Sequence, residues 1–274
     1  MIIGLLMLGG GAAAGVFGSL LGLGGGVLIV PLLTLGFGLP LRDAVGVSLV
    51  CVIMTSSAAA GVYLERHVAN LRLGITLELF TALGALVGGS IAFLLDERLI
   101  TLLFAGLLVY VAVTMARAGT VPAAAGSELD VAPATEDPRA NTMLERLSGD
   151  GYRVRHLGRG MVGATFAGIA SALLGIGGGI IKVPLMHLAM GVPLRVATAT
   201  SNLMIGITAA ASTVIYVVHG GIDPYVAGPT AIGVFLGASV GSRLSHRVDL
   251  RQLRLLFVIV IGYTAIQMLL RVVG

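Results

Sequence analysis

The sequence predicts an all-α polytopic membrane protein of two inverted repeats, each a GxGGG re-entrant or broken helical hairpin plus three transmembrane helices. Three observations predict it. Of 274 residues, 57% are hydrophobic and only 11% charged, with a mean hydropathy of +1.02, whereas soluble domains carry about 25% charged residues. The run GVFGSLLGLGGGVLIVPLLTLGF at 15–37 returns 153 positions later as GIASALLGIGGGIIKVPLMHLAM at 168–190. The arginines, finally, fall unevenly along the chain.

The repeat keeps its register without a gap. Gly22, Gly24, Gly25, Gly26 and Pro31 fall on Gly175, Gly177, Gly178, Gly179 and Pro184; Ser48 falls on Ser201, Tyr63 on Tyr216, Gly84 on Gly237, and Gly88 on Gly241. A duplicated apolar unit, interrupted by glycines at the same place in each half, is how many secondary carriers are built. The expected organisation is repeat 1 over 1–116, a flexible cytoplasmic linker over 117–158, and repeat 2 over 159–274.

Apolar stretches lie at about 2–21, 27–37, 44–64, 73–95 and 99–116, then at 159–174, 180–190, 196–218, 226–242 and 252–272. A spanning helix needs about 20 apolar residues, so 27–37 and 180–190 are too short to cross and 159–174 is short as well. Glycines weaken a helix and permit a sharp turn. The pair of segments flanking each GxGGG either runs straight on as one broken crossing or doubles back as a hairpin.

The charges separate the two. With the linker side taken as cytoplasmic, hairpins leave 13 arginines inside against 3 outside (Arg42, Arg98, Arg271), whereas straight passage gives 9 against 7. The excess of cytoplasmic Lys and Arg in membrane proteins favours hairpins; the cluster Arg243–Arg254 decides it. Three crossings per half, an odd number, invert the second half and place both termini in the periplasm. The linker carries Pro122, Pro133, Pro138 and six acidic residues in an Ala/Gly/Ser/Thr background, the composition of a tether.

The formal charge of +4 and pI near 9.6 read as cytoplasmic anchoring, not as nucleic-acid binding. One cysteine, Cys51, excludes an intramolecular disulfide, and no ligand cluster signals a metal. The N-terminus has neither a positive n-region nor a small-residue cleavage site and reads as mature protein. GLGGG and GIGGG fail as nucleotide loops: the third glycine of G-x-G-x-x-G would fall on Val27, and no GK[ST] follows. No cofactor is implied.

The candidate site lies at the hairpin tips. A helix start leaves N–H groups unpaired and aims a positive dipole end at whatever lies beyond it, a ready anion site. Gly24, Gly25 and Gly26 in one half and Gly177, Gly178 and Gly179 in the other are therefore candidate substrate-binding residues. The competing reading is close helix packing, as in GxxxG. Lys182, the sole lysine, replaces Ile29 of the first repeat; a charge at that depth costs at least about 3 kcal/mol and so has a partner or a function. Anion binding is the expected role. Ser48, Ser201 and Asn202 complete the candidate set. Glu78 and His187 are the proton-coupling candidates, although Glu78 stands only a few residues into its helix, which suggests an interface, and a lone histidine is more often a satisfied core residue.

G-x-G-G-G-x4-P at Gly22–Pro31 and Gly175–Pro184, Ala-Thr-Ser-Asn at 199–202, the two-fold repeat and the polar linker together resemble the TauE/SafE family of sulfite and organosulfonate exporters and toluenesulfonate permeases. The resemblance covers the chain apart from the linker. It implies a multi-pass bacterial inner-membrane transporter of a small sulfur-containing anion, with the proton as coupling ion and export as the expected direction. A carboxylate carrier and an anion channel are the rivals. Catalysis is not expected, since no HExxH, GxSxG or cysteine pair is present. No oligomeric state is assigned.

Overall fold

The computed structural model describes residues 2–21, 25–65, 69–117, 147–148, 152–244 and 250–273. Gly24 and most of the expected linker (118–146 and 149–151) lie outside the described residues. The first half comprises α1 (Ile2–Leu21), α2 (Gly26–Pro31), the π-helix π1 (Leu32–Gly36), α3 (Leu41–Glu65), α4 (Leu71–Leu94) and α5 (Glu97–Arg117). The second comprises α6 (Leu157–Leu174), α7 (Gly179–Pro184), π2 (Leu185–Ala189), α8 (Leu194–Val218), α9 (Pro224–Leu244) and α10 (Leu250–Val273). No strand is formed among the described residues, and seven of these helices are long and apolar enough to cross a membrane.

Both glycine-broken pairs double back. A Cβ on Gly10 of α1 would lie 2.9 Å from Leu32 of π1, and one on Gly25 would meet the Ala14 carbonyl at 4.0 Å. The same happens 153 residues on, where Gly163 faces Leu185 and Gly178 lies 3.1 Å from the Ala167 carbonyl on the same measure. The return arm therefore runs antiparallel to the helix before it, and α3 and α8 start at the end where α1 and α6 started. The arms differ from expectation in length. Both α1 and α6 are long enough to span, because α6 begins at Leu157 and continues to Leu174, so within each hairpin only the return arm, Gly26–Gly36 or Gly179–Ala189, is short; the apolar part of α10, Leu255–Arg271, is also below that length. Pro31 and Pro184 close the α-helical turns of these arms. A proline lacks the N–H that the regular ladder needs, and the chain continues as a wider π turn in both halves.

Two glycine seams hold the helices together. A Cβ on Gly11, Gly233 or Gly237 would collide with the backbone of Thr230, Leu8 or Ala12, which presses α1 against α9. Gly84, Gly88 and Gly168 press α4 against α6 in the same way, at Thr165, Ile169 and Thr81. Small residues let helix backbones approach this closely, which is how helices associate in a membrane. Residue numbers rise together along both seams, so each pair is parallel. By contrast α3 and α8 are antiparallel, since Ser56 donates to the Asn202 carbonyl at 2.6 Å while Gly46 packs on Tyr216. Helices α1, α3, α5 and α9 thus run one way, and α4, α6, α8 and α10 the other. Arg271 of α10, reaching the Thr34 carbonyl at 3.0 Å, and Arg42 of α3, reaching the Leu95 carbonyl at 2.9 Å, tie the end opposite the linker.

Candidate functional site

The two hairpin tips meet at the centre. Gly25, Gly175, Gly177 and Gly178 hold φ between 68° and 75°, left-handed backbone that glycine alone adopts without strain. Ser48 of α3 donates to the Gly175 carbonyl at 2.7 Å and lies 3.3 Å from that of Gly26, bonding one tip to the other. Val52 fills the space beside Gly177, and Ile205 of α8 the space beside Gly177 and Gly179.

Ser201, the repeat partner of Ser48, is fully buried, and its Oγ has no hydrogen-bond partner among the described residues. It lies 3.6 Å from the Cβ position of Gly179. Ser171 of α6 is likewise fully buried and unpartnered, with its Cβ 3.3 Å from the Cβ position of Gly178. An unsatisfied buried hydroxyl costs about 1–3 kcal/mol, and here two of them flank one tip. Asn202 is buried, its carbonyl accepting from Ser56.

Lys182 and Glu78 are partners. The Lys182 ammonium lies 3.2 Å from Glu78 Oε2 and also donates to Thr208 Oγ1. Glu78 Oε2 accepts from Thr81 at 3.0 Å, and Oε1 from Thr208 at 2.6 Å. A hydroxyl has one proton, so Thr208 accepts from the lysine while donating to the carboxylate. These side chains are 1% and 6% exposed, and among the described residues no other buried side chain carries charge. The Lys182 stem reaches this partner past the tip, its Cε 3.4 Å from the Cβ position of Gly178. Glu78, expected near an interface, is buried among the helices. Helix α4 begins at the Asn70 cap, whose side chain accepts from Leu73 N at 3.0 Å, and the eight residues from there carry Glu78 about 12 Å inward. His187 is exposed on π2, its Nδ1 2.9 Å from the Val192 carbonyl, and takes no part in the Glu78 cluster.

The end of the linker closes over this region. Asn70 Nδ2 donates to the Leu147 carbonyl and to the Tyr152 hydroxyl, both at 2.8 Å, and Asn70 N donates to Thr200 Oγ1 at 2.9 Å. Leu147 and Val154 pack with Leu73, Leu77, Met186 and Met204. Burial holds the Tyr152 phenol above its ordinary range, against the opposing effect of the Asn70 bond.

The sequence singles out Glu78 and Lys182 separately but gives no sign that they meet at Thr208, and Ser171 is not among its candidates. The one available signal was the pairing of the sole lysine with an acid inside an apolar helix. Ser171 falls on Gly18 of the first repeat, which marks it as a packing residue.

Doubled-back helices, glycine seams and seven helices long and apolar enough to cross a membrane mark a multi-pass membrane protein. The chain belongs to the family described as "Sulfite exporter TauE/SafE", whose profile matches residues 7–268, a family of membrane transporters. It is 24% identical over 260 residues to the probable membrane transporter protein YunE of Bacillus subtilis, covering 92% of each chain. A probable membrane transporter protein of Xylella fastidiosa is 28% identical over 244 residues, 89% of this chain and 85% of that one. MJ0441 of Methanocaldococcus jannaschii, also a probable membrane transporter protein, is 24% identical over 275 residues, covering 95% and 93%. No solved structure matches the chain.

Proposed function

We propose that this chain is a proton-coupled secondary carrier for a small sulfur-containing oxyanion, such as sulfite or a sulfonate, bound where the two glycine tips converge. The observation that carries this reading is the pair of buried, unpartnered hydroxyls, Ser171 and Ser201, beside Gly178 and Gly179. Two donors without acceptors, at a tip with left-handed glycines and beside a lysine, form a receptor for oxygen acceptors. Gly25, Gly26 and Ser48 form the other wall, and Gly177 and Asn202 border the same centre. The opposite helix directions in the two halves support an inverted repeat in the membrane, with the linker cytoplasmic and both termini periplasmic in a bacterial inner membrane.

The test is uptake of radiolabelled sulfite and an arenesulfonate into proteoliposomes, with and without an imposed pH gradient. Saturable, gradient-sensitive flux is the expected result. Flux of carboxylates alone would overturn the substrate, and conductance without saturation would make the protein a channel.

A further inference from the structure

We propose that Glu78 and Lys182 make anion and proton travel together: the anion takes Lys182 from Glu78 only when a proton neutralises the carboxylate. The inference rests on the transport reading above and adds to it a mechanism and a direction.

The argument begins with the asymmetry of the repeat. Offset by 153 positions, Lys182 falls on Ile29, Glu78 on Ala231, and Thr81 on Val234, while Thr208 falls on Thr55. Ile29, Ala231 and Val234 are buried, so the equivalent place in the other half carries no charge. The charged pair is thus not required by the shared backbone frame. A buried ion pair is often no more stable than an apolar filling of the same volume, and the molecule holds a charged and an uncharged solution.

The surroundings restrict what can neutralise each charge. Helix α7 brings Lys182 to Glu78, and α8 brings Thr208. The buried face of α6 is Gly160, Ala164, Ala167, Gly168, Ser171, Ala172 and Leu174, without an acid or base. Among the described side chains of α8 the buried titratable group is Tyr216, bonded to the Ala172 carbonyl. At the linker end stand Tyr152, bonded to Asn70, the exposed His187, and the exposed Arg72, Arg153, Arg155 and Arg159. Lys182 is therefore the counter-charge of Glu78, and Glu78 that of Lys182.

Charge balance then allows two states. Empty, the site is neutral through the ion pair. Loaded, it is neutral with a protonated Glu78, a free Lys182 ammonium and one monoanion beside Ser171 and Ser201. The Lys182 stem already passes Gly178, so its head turns from Glu78 toward the tip without a backbone change. A proton without an anion, or an anion without a proton, leaves one buried net charge, which is strongly disfavoured. Those states are rare, so leak is suppressed. Because proton and anion occupy the carrier together, an inward proton gradient drives anion uptake, opposite to the export direction that the resemblance implies.

The experiment uses the full-length wild-type protein and anions charged at all relevant pH values: methanesulfonate, an arenesulfonate and trichloroacetate. A permanently charged probe ensures that a linked proton lands on the protein. Binding to purified protein in weakly buffered detergent solution, followed with a pH dye, is expected to take up about one proton per anion, and Kd to rise about tenfold per pH unit on the alkaline side. In proteoliposomes, uptake is expected to carry protons inward. Glu78→Gln is expected to retain anion exchange across the membrane, lose the proton movement and lose the pH dependence of Kd. Anion binding without proton uptake, or with proton release, by the wild-type protein overturns the proposal whether or not the variant folds. So does Glu78→Gln with undiminished proton-coupled uptake. Wild-type protein that binds none of the three probes overturns the transport reading itself.

Discussion

Replacing Gly26 with alanine places a methyl group in the contact between the two tips. The added Cβ would collide with the Gly175 carbonyl oxygen and lie 2.9 Å from Val52 Cγ2 and 3.0 Å from Ser48 Oγ. The first obstacle is backbone and cannot rotate away, so one tip must move. Overpacking a filled interior costs about 1–3 kcal/mol. Moving the tip also breaks the 2.7 Å bond from Ser48 to Gly175, and the stranded group adds about 1–3 kcal/mol. Where the two tips form the site, the combined cost of about 2–6 kcal/mol opposes assembly of the binding geometry and lowers affinity at least about 30-fold. Gly106→Ala on α5 is the control. A Cβ there meets nothing within 4 Å, and alanine is the better helix former by about 1 kcal/mol. The assay is equilibrium binding of radiolabelled sulfite, normalised to folded protein, with thermal unfolding recorded on the same samples. Gly26→Ala with the melting temperature and affinity of the wild type would refute the argument that the tips touch and bind.

Further outcomes follow from other contacts. Lys182→Met leaves Glu78 buried alone and is expected to destabilise the protein by about 3–5 kcal/mol; adding Glu78→Gln should restore most of the loss in thermal melts, and a double variant no better than the single would contradict the pairing. Cys51 is buried and should resist membrane-impermeant thiol reagents, so cysteines introduced at Arg98 and Arg243 report topology against a silent background. They are expected to label from opposite faces of the membrane, and labelling from one face would refute the inversion. Tyr152→Phe removes one bond to Asn70 and should weaken docking of the linker end by about 1 kcal/mol, with Asn70→Ala costing more because the α4 cap goes too. Since the folded protein holds the Tyr152 phenol above its ordinary range, this docking is complete below about pH 10 and is lost as pH rises further. Hydrogen exchange at Val154 reads the effect of both variants and of pH.

What could be read from the chain depended on whether the cause was local or repeated. The short return arms and the glycine turns follow from composition and spacing around Gly22–Pro31 and Gly175–Pro184, and the helical character of the described residues from the apolar composition. The correspondence of Gly84 with Gly237 and Gly88 with Gly241 was visible as repetition, but its cause is the two seams, where glycines of one half meet backbone of the other. The Glu78–Lys182 pair was not legible as a pair: its members are 104 residues apart, and neither has a charged counterpart in the other repeat. An apolar run beginning at residue 73 sets Glu78 close to its end, whereas the helix starts from the Asn70 cap beneath the linker end and Glu78 is buried. Ser171 carried no signal, since a serine among small residues on α6 looks like packing until its hydroxyl is found without a partner.

The seams have a mechanical consequence. Helix α1 of the first half is joined to α9 of the second, and α4 of the first to α6 of the second, through backbone too close to admit a methyl group. The stiff bodies of the molecule are therefore hybrids, each assembled from both halves, and the boundary in the sequence is not the boundary along which the protein flexes. A chain cut within the linker would yield two fragments, neither able to complete a seam by itself. Each would expose a glycine-lined groove until the other fragment arrived, so the halves should be recovered only by co-expression, as one complementing pair.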